Sequence, residues 1–308
     1  MKNNGISNIL VPLDFSETSL NALQTAIVIS KQQKAKIILI NVVDTSFMLG
    51  FKGLYYISER TINSIIDVSA RMLKPLVANL KEEHKLECTS EVKVGLVPQN
   101  IITAAHENNA DLIIMGTHGA SGFRKFFMGS TAQRVIKFSS YPILTIPSNQ
   151  KWLDFKKILF PIRPIQGAIE KYDFLLKLVA QAKASIDILI LASTYDKTEK
   201  ELLQNLVKEL KRKVTKDKIK ISGALKVGTK MPQAVLNMSK SIDADMIVIT
   251  RNFDSGFKQF FIDPFEQRIV NHATVPVLSV RPKLTSPDLQ VAIQQIHESF
   301  PNQMPSFS

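Results

Sequence analysis

An internal repeat is the feature that most constrains how this chain can fold. Segment 8–30, NILVPLDFSETSLNALQTAIVIS, is matched by segment 157–179, KILFPIRPIQGAIEKYDFLLKLV, so that Pro12 corresponds to Pro161. From Asp111 and its counterpart Asp245 onward the spacing between the copies is narrower, because a helical region is shorter in the second copy. A chain of 308 residues that carries one pattern twice is expected to fold as two similar domains.

Each copy alternates strand-like runs with segments of helical periodicity. Each copy has the pattern β-α-β-α-β-α-β-α-β, and the strand-like runs of the first copy include NILVPL, KIILINVV, LIIMG and YPILTIP. Runs that are apolar throughout indicate strands buried on both faces, and their alternation with helices predicts an α/β fold with a doubly wound parallel sheet. We therefore predict domains at 1–150 and 151–283, followed by a C-terminal tail at 284–308.

Several features of the composition favour a cytoplasmic location. No apolar run reaches the roughly 18 to 20 residues that a membrane-spanning helix needs. The first residues, MKNNGISNILVPLDFSE, lack the apolar core of a signal peptide. The single cysteine, Cys88, cannot form an internal disulfide, as is typical of a reducing compartment.

The net charge of +12 comes partly from a basic run at 207–220, VKELKRKVTKDKIK. Such a run could contact RNA or an anionic surface. Acidic residues and the apolar residues Val207, Leu210 and Val214 are interleaved with the lysines, a pattern that favours a solvated helix face. We therefore expect neither a nucleic-acid nor a membrane partner.

In a doubly wound sheet, ligands bind at the carboxyl ends of the strands near the topological switch point. The first strand ends in Pro12-Leu13-Asp14, and the Asp14 carboxylate could accept hydrogen bonds from ribose hydroxyls or cap the next helix, as Ser16 and Thr18 also could. The second strand ends around Val42, where main-chain groups could pair with a purine edge or simply end the strand.

The fourth strand ends at Met115-Gly116 and is followed by a glycine-rich loop. Gly116 and Gly119 lack a β-carbon, so the main chain there could approach a ligand closely. Further on, Gly129, Ser130 and Thr131 precede a helix, and their N–H groups could bind an anion. The alternative is a surface connection with Ser130 as N-cap. The spacing G-x2-G-x9-G-[ST] matches neither the dinucleotide-binding nor the P-loop pattern.

The second copy lacks this pattern. Residues Asp14, Gly116, Gly119, Gly129 and Ser130 correspond to Arg163, Thr250, Phe253, Asp263 and Pro264. A carboxylate repels phosphate, a phenyl ring obstructs main-chain approach, and proline has no N–H to donate. We therefore expect the first copy to bind the ligand and the second to be structural or regulatory.

Together, ILVPLDFSE, VGLVP, DLIIMGTHG, the G-x2-G-x9-G-S pattern and YPILTIP carry a family resemblance. The chain resembles a tandem universal stress protein over residues 5–148 and 155–282. The resemblance implies two Rossmann-like, adenine-nucleotide alpha-hydrolase-like domains that dock edge to edge through their last strands. It also implies a role in stress response or signalling, with further pairing of chains into a homodimer as a second expectation.

In that family, the nucleotide-binding members hold ATP at this place. The resemblance implies that Asp14 contacts the ribose or adenine beside Pro12, and that Val42 contacts the adenine through its main chain. It further implies contacts along the nucleotide and at its phosphates from Met115, Gly116, His118, Gly119, Gly129, Ser130 and Thr131. Mg²⁺ could accompany the phosphates with few protein ligands.

No catalytic constellation is evident in the sequence. The five histidines are scattered without metal-ligand spacing, and no general base is identifiable for a water attacking ATP. Slow ATP hydrolysis and a scaffold whose pocket holds no ligand stay open as alternatives. An ATP-pyrophosphatase-type enzyme is a third, although such enzymes usually carry an S-G-G-x-[DS]-S-like loop where this chain has PLDFSE.

Overall fold

The structure, a computed structural model, describes most of both repeats. The described residues are 5–45, 59–117, 128–148, 155–165, 167–179, 184–194, 196–217, 220–228, 230–251 and 264–282. Within them, the first half contains β1 (Asn8–Pro12), α1 (Glu17–Gln33), β2 (Lys36–Asp44), α2 (Glu59–Glu82), β3 (Cys88–Gly95), α3 (Val97–Glu107), β4 (Leu112–Gly116), α4 (Ser130–Phe138) and β5 (Ile143–Ile146).

The second half repeats this order of strands and helices. It contains β6 (Lys157–Ile162), α5 (Lys171–Val179), β7 (Ser185–Ala192), α6 (Lys197–Asp217), β8 (Lys220–Val227), α7 (Met231–Ser241), β9 (Met246–Thr250), α8 (Pro264–His272) and β10 (Val277–Val280). Two different sequence spacings relate the copies. The first residues of β2 and β7 are separated by the wider spacing, and the first residues of α3 and α7 are separated by the narrower one. The shortening expected in a helical region therefore lies between β7 and α7.

All ten strands form one sheet, in the order β3-β2-β1-β4-β5-β10-β9-β6-β7-β8. Neighbouring strands within each half are parallel, as the apolar runs predict. The halves meet where β5 and β10 pair antiparallel, with Leu144 opposite Leu278. This pairing is the edge-to-edge docking of the last strands that we expected.

Two apolar layers cover the sheet, one on each face. On one face α1, α2, α5 and α6 pack against strand residues such as Ile9 and Leu112, and on the other α3, α4, α7 and α8 pack against residues such as Leu10 and Ile113. Both layers continue through the junction, since Leu144 and Leu278 belong to the first layer and Ile143 and Val277 to the second. Strands buried on both faces explain runs that do not alternate with polar residues.

The same aspartate fastens β1 and β6 in the two halves. One carboxylate oxygen of Asp111 accepts hydrogen bonds from the Ser7 and Asn8 amides at 2.7 and 3.0 Å. Asp245 makes the same pair of bonds to the two amides at the start of β6, at 2.9 and 2.8 Å. The recurrence of these aspartates therefore has a structural cause at the amino ends of the strands, opposite the predicted ligand site.

Much of the basic run lies in α6. Leu210 and Val214 are buried, and Val207 packs partly buried against the same layer. The apolar residues of the run therefore face the core, which is the amphipathic arrangement expected of a solvated helix face. In the described part of the chain, no helix is both long enough and apolar enough to cross a membrane.

Candidate functional site

A tight turn follows β1 and exposes the Asp14 side chain. Phe15 adopts φ 61°, in the left-handed region that few non-glycine residues occupy. The Ser16 hydroxyl accepts a hydrogen bond from the Ser19 amide at 3.3 Å and so caps α1. The Asp14 Oδ1 atom accepts bonds from the Ser16 amide and hydroxyl, at 3.1 and 2.5 Å. Ser16 is therefore the helix cap, and Asp14 supports it from the exposed side of the turn.

The main-chain groups of Val42 face a space that β1 does not fill. Alternate residues of β2 direct their peptide groups toward β1, as the bond from the Lys36 amide to the Ser7 carbonyl shows. Val42 lies on the same side, further along the strand. The β1–β2 pairing ends at Pro12 and Ile40, before it reaches Val42. The carboxyl end of β2 therefore presents a peptide N–H and C=O beyond the last pair, as an adenine contact would require.

Gly116 has a structural reason to be glycine, besides the ligand approach that the sequence suggested. A β-carbon on Gly116 would lie 3.0 Å from both the carbonyl carbon and the Cβ of Thr18, at the start of α1. Such a contact is too short for normal packing. The preceding Met115 is only 5% exposed and packs into the layer of α3 and α4, so its side chain is part of the core.

The amino end of α4 differs from the expectation in one respect. The Gly129 N–H, which the sequence predicts to be one of the donors for a phosphate, donates instead to the Thr117 carbonyl at 2.8 Å. Gly129 is the N-cap, with no side-chain cap, and Ser130 is the first helical residue. The alternative of Ser130 as N-cap is therefore wrong. The Ser130 and Thr131 amides belong to the first turn of α4, where amides have no acceptor within the helix. No described residue accepts a hydrogen bond from either amide.

Three contacts bring these segments to one edge of the sheet. The Asn41 side-chain amide donates to the Leu13 carbonyl at 2.7 Å and joins the ends of β2 and β1. The close approach of Gly116 to α1 joins β4 to β1, and the Gly129 bond joins α4 to β4. Because the chain runs outward from β1 through β2 and β3 and returns to β4 on the other side of β1, this edge is the topological switch point.

Most of the site predicted from sequence is thus brought together. The residues placed at this edge are Pro12, Asp14, Val42, Met115, Gly116, Gly129, Ser130 and Thr131. His118 and Gly119 lie outside the described residues. No sequence pattern singled out Thr117, whose carbonyl accepts the Gly129 bond, and Thr18 was considered as a helix cap but not as the residue that packs against Gly116. Thr117 could have been noticed, since Arg251 replaces it in the second copy.

Comparison with known proteins identifies the family. The model of the universal stress protein family matches residues 5–147 and 155–281, most of the chain. The chain belongs to the universal stress protein family. Universal stress protein MJ0531 of Methanocaldococcus jannaschii is 32% identical over 143 residues, which cover 46% of this chain and 83% of that protein. Universal stress protein YxiE of Bacillus subtilis is 27% identical over 148 residues, 46% of this chain and 98% of that protein.

Solved structures of universal stress proteins have the same fold along nearly the whole chain. One from Archaeoglobus fulgidus superposes with a TM-score of 0.71 at 19% identity and covers 91% of this chain and 99% of its own. A putative universal stress protein from Pseudomonas aeruginosa gives 0.65 at 14% identity, over 97% of this chain and 99% of its own. The tandem architecture therefore occurs in other universal stress proteins.

In this universal stress protein, side chains of the second half occupy the place that corresponds to the site. Arg163, the counterpart of Asp14, lies over the Phe265 ring at 3.9 Å from its centroid. The next residue is Pro164, and proline cannot adopt the left-handed turn that Phe15 makes in the first half. Thr250, the counterpart of Gly116, donates its hydroxyl to the Ala168 carbonyl at 3.2 Å.

A buried lysine reinforces the difference between the halves of this universal stress protein. Lys171, where the first half has Ala22, is 2% exposed, and its ammonium donates to the Pro161 carbonyl at 2.6 Å. The same ammonium lies 4.4 Å from the centroid of the Phe160 ring. Burial, and secondly the positive charge of Arg163, lower the pKa of Lys171 well below its usual value.

The lowered pKa of Lys171 gives a prediction for stability against pH. Because the unfolded chain holds this proton more tightly, the charged lysine destabilises the fold below its folded-state pKa. The penalty is lost as pH rises toward 10.5, the pKa of the unfolded side chain. We expect the free energy of unfolding of wild type to rise relative to Lys171→Met in this window, by at most about 1.4 kcal/mol per pH unit.

Urea unfolding at several pH values between 7 and 10.5 would measure this difference. Lys177→Met, which removes an exposed lysine from the same helix, is the control and should follow wild type at every pH. A constant difference between wild type and Lys171→Met across the window would contradict the assignment.

Proposed function

We propose that the first half of this universal stress protein binds an adenine nucleotide, ATP in the first instance, and that nucleotide binding serves a stress or signalling response. The observation that carries the proposal is the uncapped amino end of α4 at the switch point of the sheet. Ser130 and Thr131 supply amide and hydroxyl donors there, and the helix dipole favours a bound anion. These are the groups that a polyphosphate requires.

The other groups at this edge fit the rest of the nucleotide. The exposed Asp14 carboxylate is suited to accept hydrogen bonds from ribose hydroxyls. The Val42 peptide group offers one donor and one acceptor, which match a purine edge. On the family resemblance, we place His118 and Gly119 along the nucleotide between these ends.

Mg²⁺, where present, would enter with the phosphates. Among the described residues, no group of three or more histidine, cysteine, aspartate or glutamate side chains is arranged to hold a metal ion. Mg²⁺ keeps several waters and commonly binds through substrate phosphates with one or two protein carboxylates. We therefore expect ATP to bind with or without Mg²⁺, at different affinities.

The second half is proposed to be structural at the corresponding place. Its helix α8 begins at Pro264, which has no N–H for a phosphate, and Arg163 replaces the carboxylate proposed for the ribose. Isothermal titration calorimetry of the whole chain with ATP should therefore give one site per chain. Two sites would contradict the assignment to the first half, and no binding would contradict the proposed function. Phosphate release in the same samples would reveal slow hydrolysis.

A further inference from the structure

The segment before α4 is fixed by the second half as well as by the first. The Met128 amide donates to Oδ1 of Asn271, on α8, at 3.0 Å. Gln133 donates its side-chain amide to the Met128 carbonyl at 3.2 Å, and the Gly129 amide donates to Thr117. The main chain just ahead of the proposed phosphate donors is thus held at three points. The first of them depends on a residue from the other half.

The opposite end of α4 is also held by the second half. Arg251 is 3% exposed, and its guanidinium donates three bonds of 2.6 to 2.8 Å to main-chain carbonyls. The acceptors are the carbonyls of Ile136, Ser139 and Tyr141. Arg281 adds a bond of 2.7 Å to the Lys137 carbonyl. Cationic donors at a helix C-terminus satisfy carbonyls that have no partner within the helix and match its dipole.

The residues that make these contacts occur in the second copy alone. Asn271, Arg251 and Arg281 correspond to Lys137, Thr117 and Pro147 in the first copy. Thr117 donates its hydroxyl within its own half, to the Ile146 carbonyl at 3.4 Å, whereas Arg251 reaches across to α4. The replacements that make the second copy unlike a nucleotide site therefore include residues that support α4 of the first copy.

We propose that Asn271 is a positioning residue for the phosphate end of α4, so that the second half completes the nucleotide site of the first. The ligand rests on the proposed function, whereas the contact between Asn271 and Met128 exists without it. Hydrogen bonds to phosphate need donors placed within a few tenths of an ångström. Loss of the Met128 anchor releases the turn that carries the Ser130 and Thr131 amides. The cost falls on phosphate binding and spares the adenosine contacts at Asp14 and Val42.

Asn271→Leu in the full chain tests this role. We expect the affinity for ATP to fall about 3- to 10-fold, the effect of one neutral hydrogen bond, and the affinity for adenosine to change less than about 2-fold. Calorimetry with both ligands measures the difference. Asn237→Leu is the control, because Asn237 is an exposed asparagine on α7. Equal losses for ATP and adenosine, or no loss for either, would overturn the proposal.

A second measurement needs no ligand and separates the positioning role of Asn271 from the proposed function. In hydrogen exchange followed by NMR, the Met128 amide should exchange at least about 10-fold faster in Asn271→Leu than in wild type. Asn271→Asp keeps the acceptor oxygen and should retain the protection. Unchanged exchange in Asn271→Leu would overturn the positioning role. If wild type binds no ATP but the exchange pattern is as expected, the proposed function fails and the positioning of α4 by Asn271 stands.

Discussion

Gly129→Asp is expected to weaken ATP binding at least about 100-fold while the fold stays intact. Gly129 has φ −59° and ψ 149°, a conformation open to any residue, so aspartate can replace it without main-chain strain. An aspartate N-cap accepts hydrogen bonds from the first turn and stabilises a helix by only about a few tenths of a kcal/mol relative to glycine at the same position. The same carboxylate competes with phosphate for the Ser130 and Thr131 amides and repels its charge. A 100-fold loss corresponds to about 2.7 kcal/mol.

Gly129→Asn is the matched control, because it adds a similar cap without the charge. Both variants should unfold at the wild-type temperature or above it, but Gly129→Asn should lose less than about 10-fold in ATP affinity. Calorimetric titration and thermal unfolding of the three proteins measure both quantities. Gly129→Asp with wild-type affinity would mean that the phosphates do not lie at the amino end of α4.

Arg251→Met is expected to lower the free energy of unfolding by about 3 to 5 kcal/mol, the usual cost of breaking a buried charged network. Three main-chain carbonyls at and just beyond the end of α4 lose their donor, and Glu266 loses a nearby positive charge. Burial lowers the pKa of Arg251 to about 10, and Glu266 opposes that shift, so the guanidinium is charged at neutral pH. The variant removes this charge and its hydrogen bonds together.

Chemical denaturation at pH 7 would measure the loss. Arg268→Met removes an exposed arginine from α8 and should change stability by less than about 0.5 kcal/mol. Arg251→Lys, which keeps the charge but has fewer directed donors, should lie between the two. If Arg251→Met were as stable as Arg268→Met, the hydrogen bonds from Arg251 to α4 would contribute nothing to the free energy of unfolding.

The Arg251 and Asn271 contacts give the second half a structural role in addition to its strand pairing with the first half. Its Arg163, Lys171 and Pro164 make the corresponding place unlike a nucleotide site, and its Arg251 and Asn271 bind the main chain at both ends of α4. The second copy, which lacks the nucleotide-site pattern, thus carries residues that stabilise the first copy.

The sequence by itself determined the repeat, the parallel α/β halves and the edge of the sheet where a ligand would bind, whereas the pairing of the halves through their last strands was implied by the family resemblance. Apolar runs, turn residues and the spacing between copies are local or periodic features, so they can be read without coordinates. Asp14 and Gly116 were located in the same way, since Gly116 ends β4 and Asp14 lies just beyond β1, whereas the role expected of Val42 was implied by the family resemblance.

Only the tertiary structure decided which peptide groups are already used and which residues reach across the junction. The Gly129 amide is bonded to Thr117, and Gly116 is glycine because α1 packs against it. Asn271 meets Met128 across 143 positions of sequence, and Arg251 meets Ser139 across 112. Contacts of this kind depend on how two packed layers bring distant segments together, and no local pattern in the sequence records that geometry.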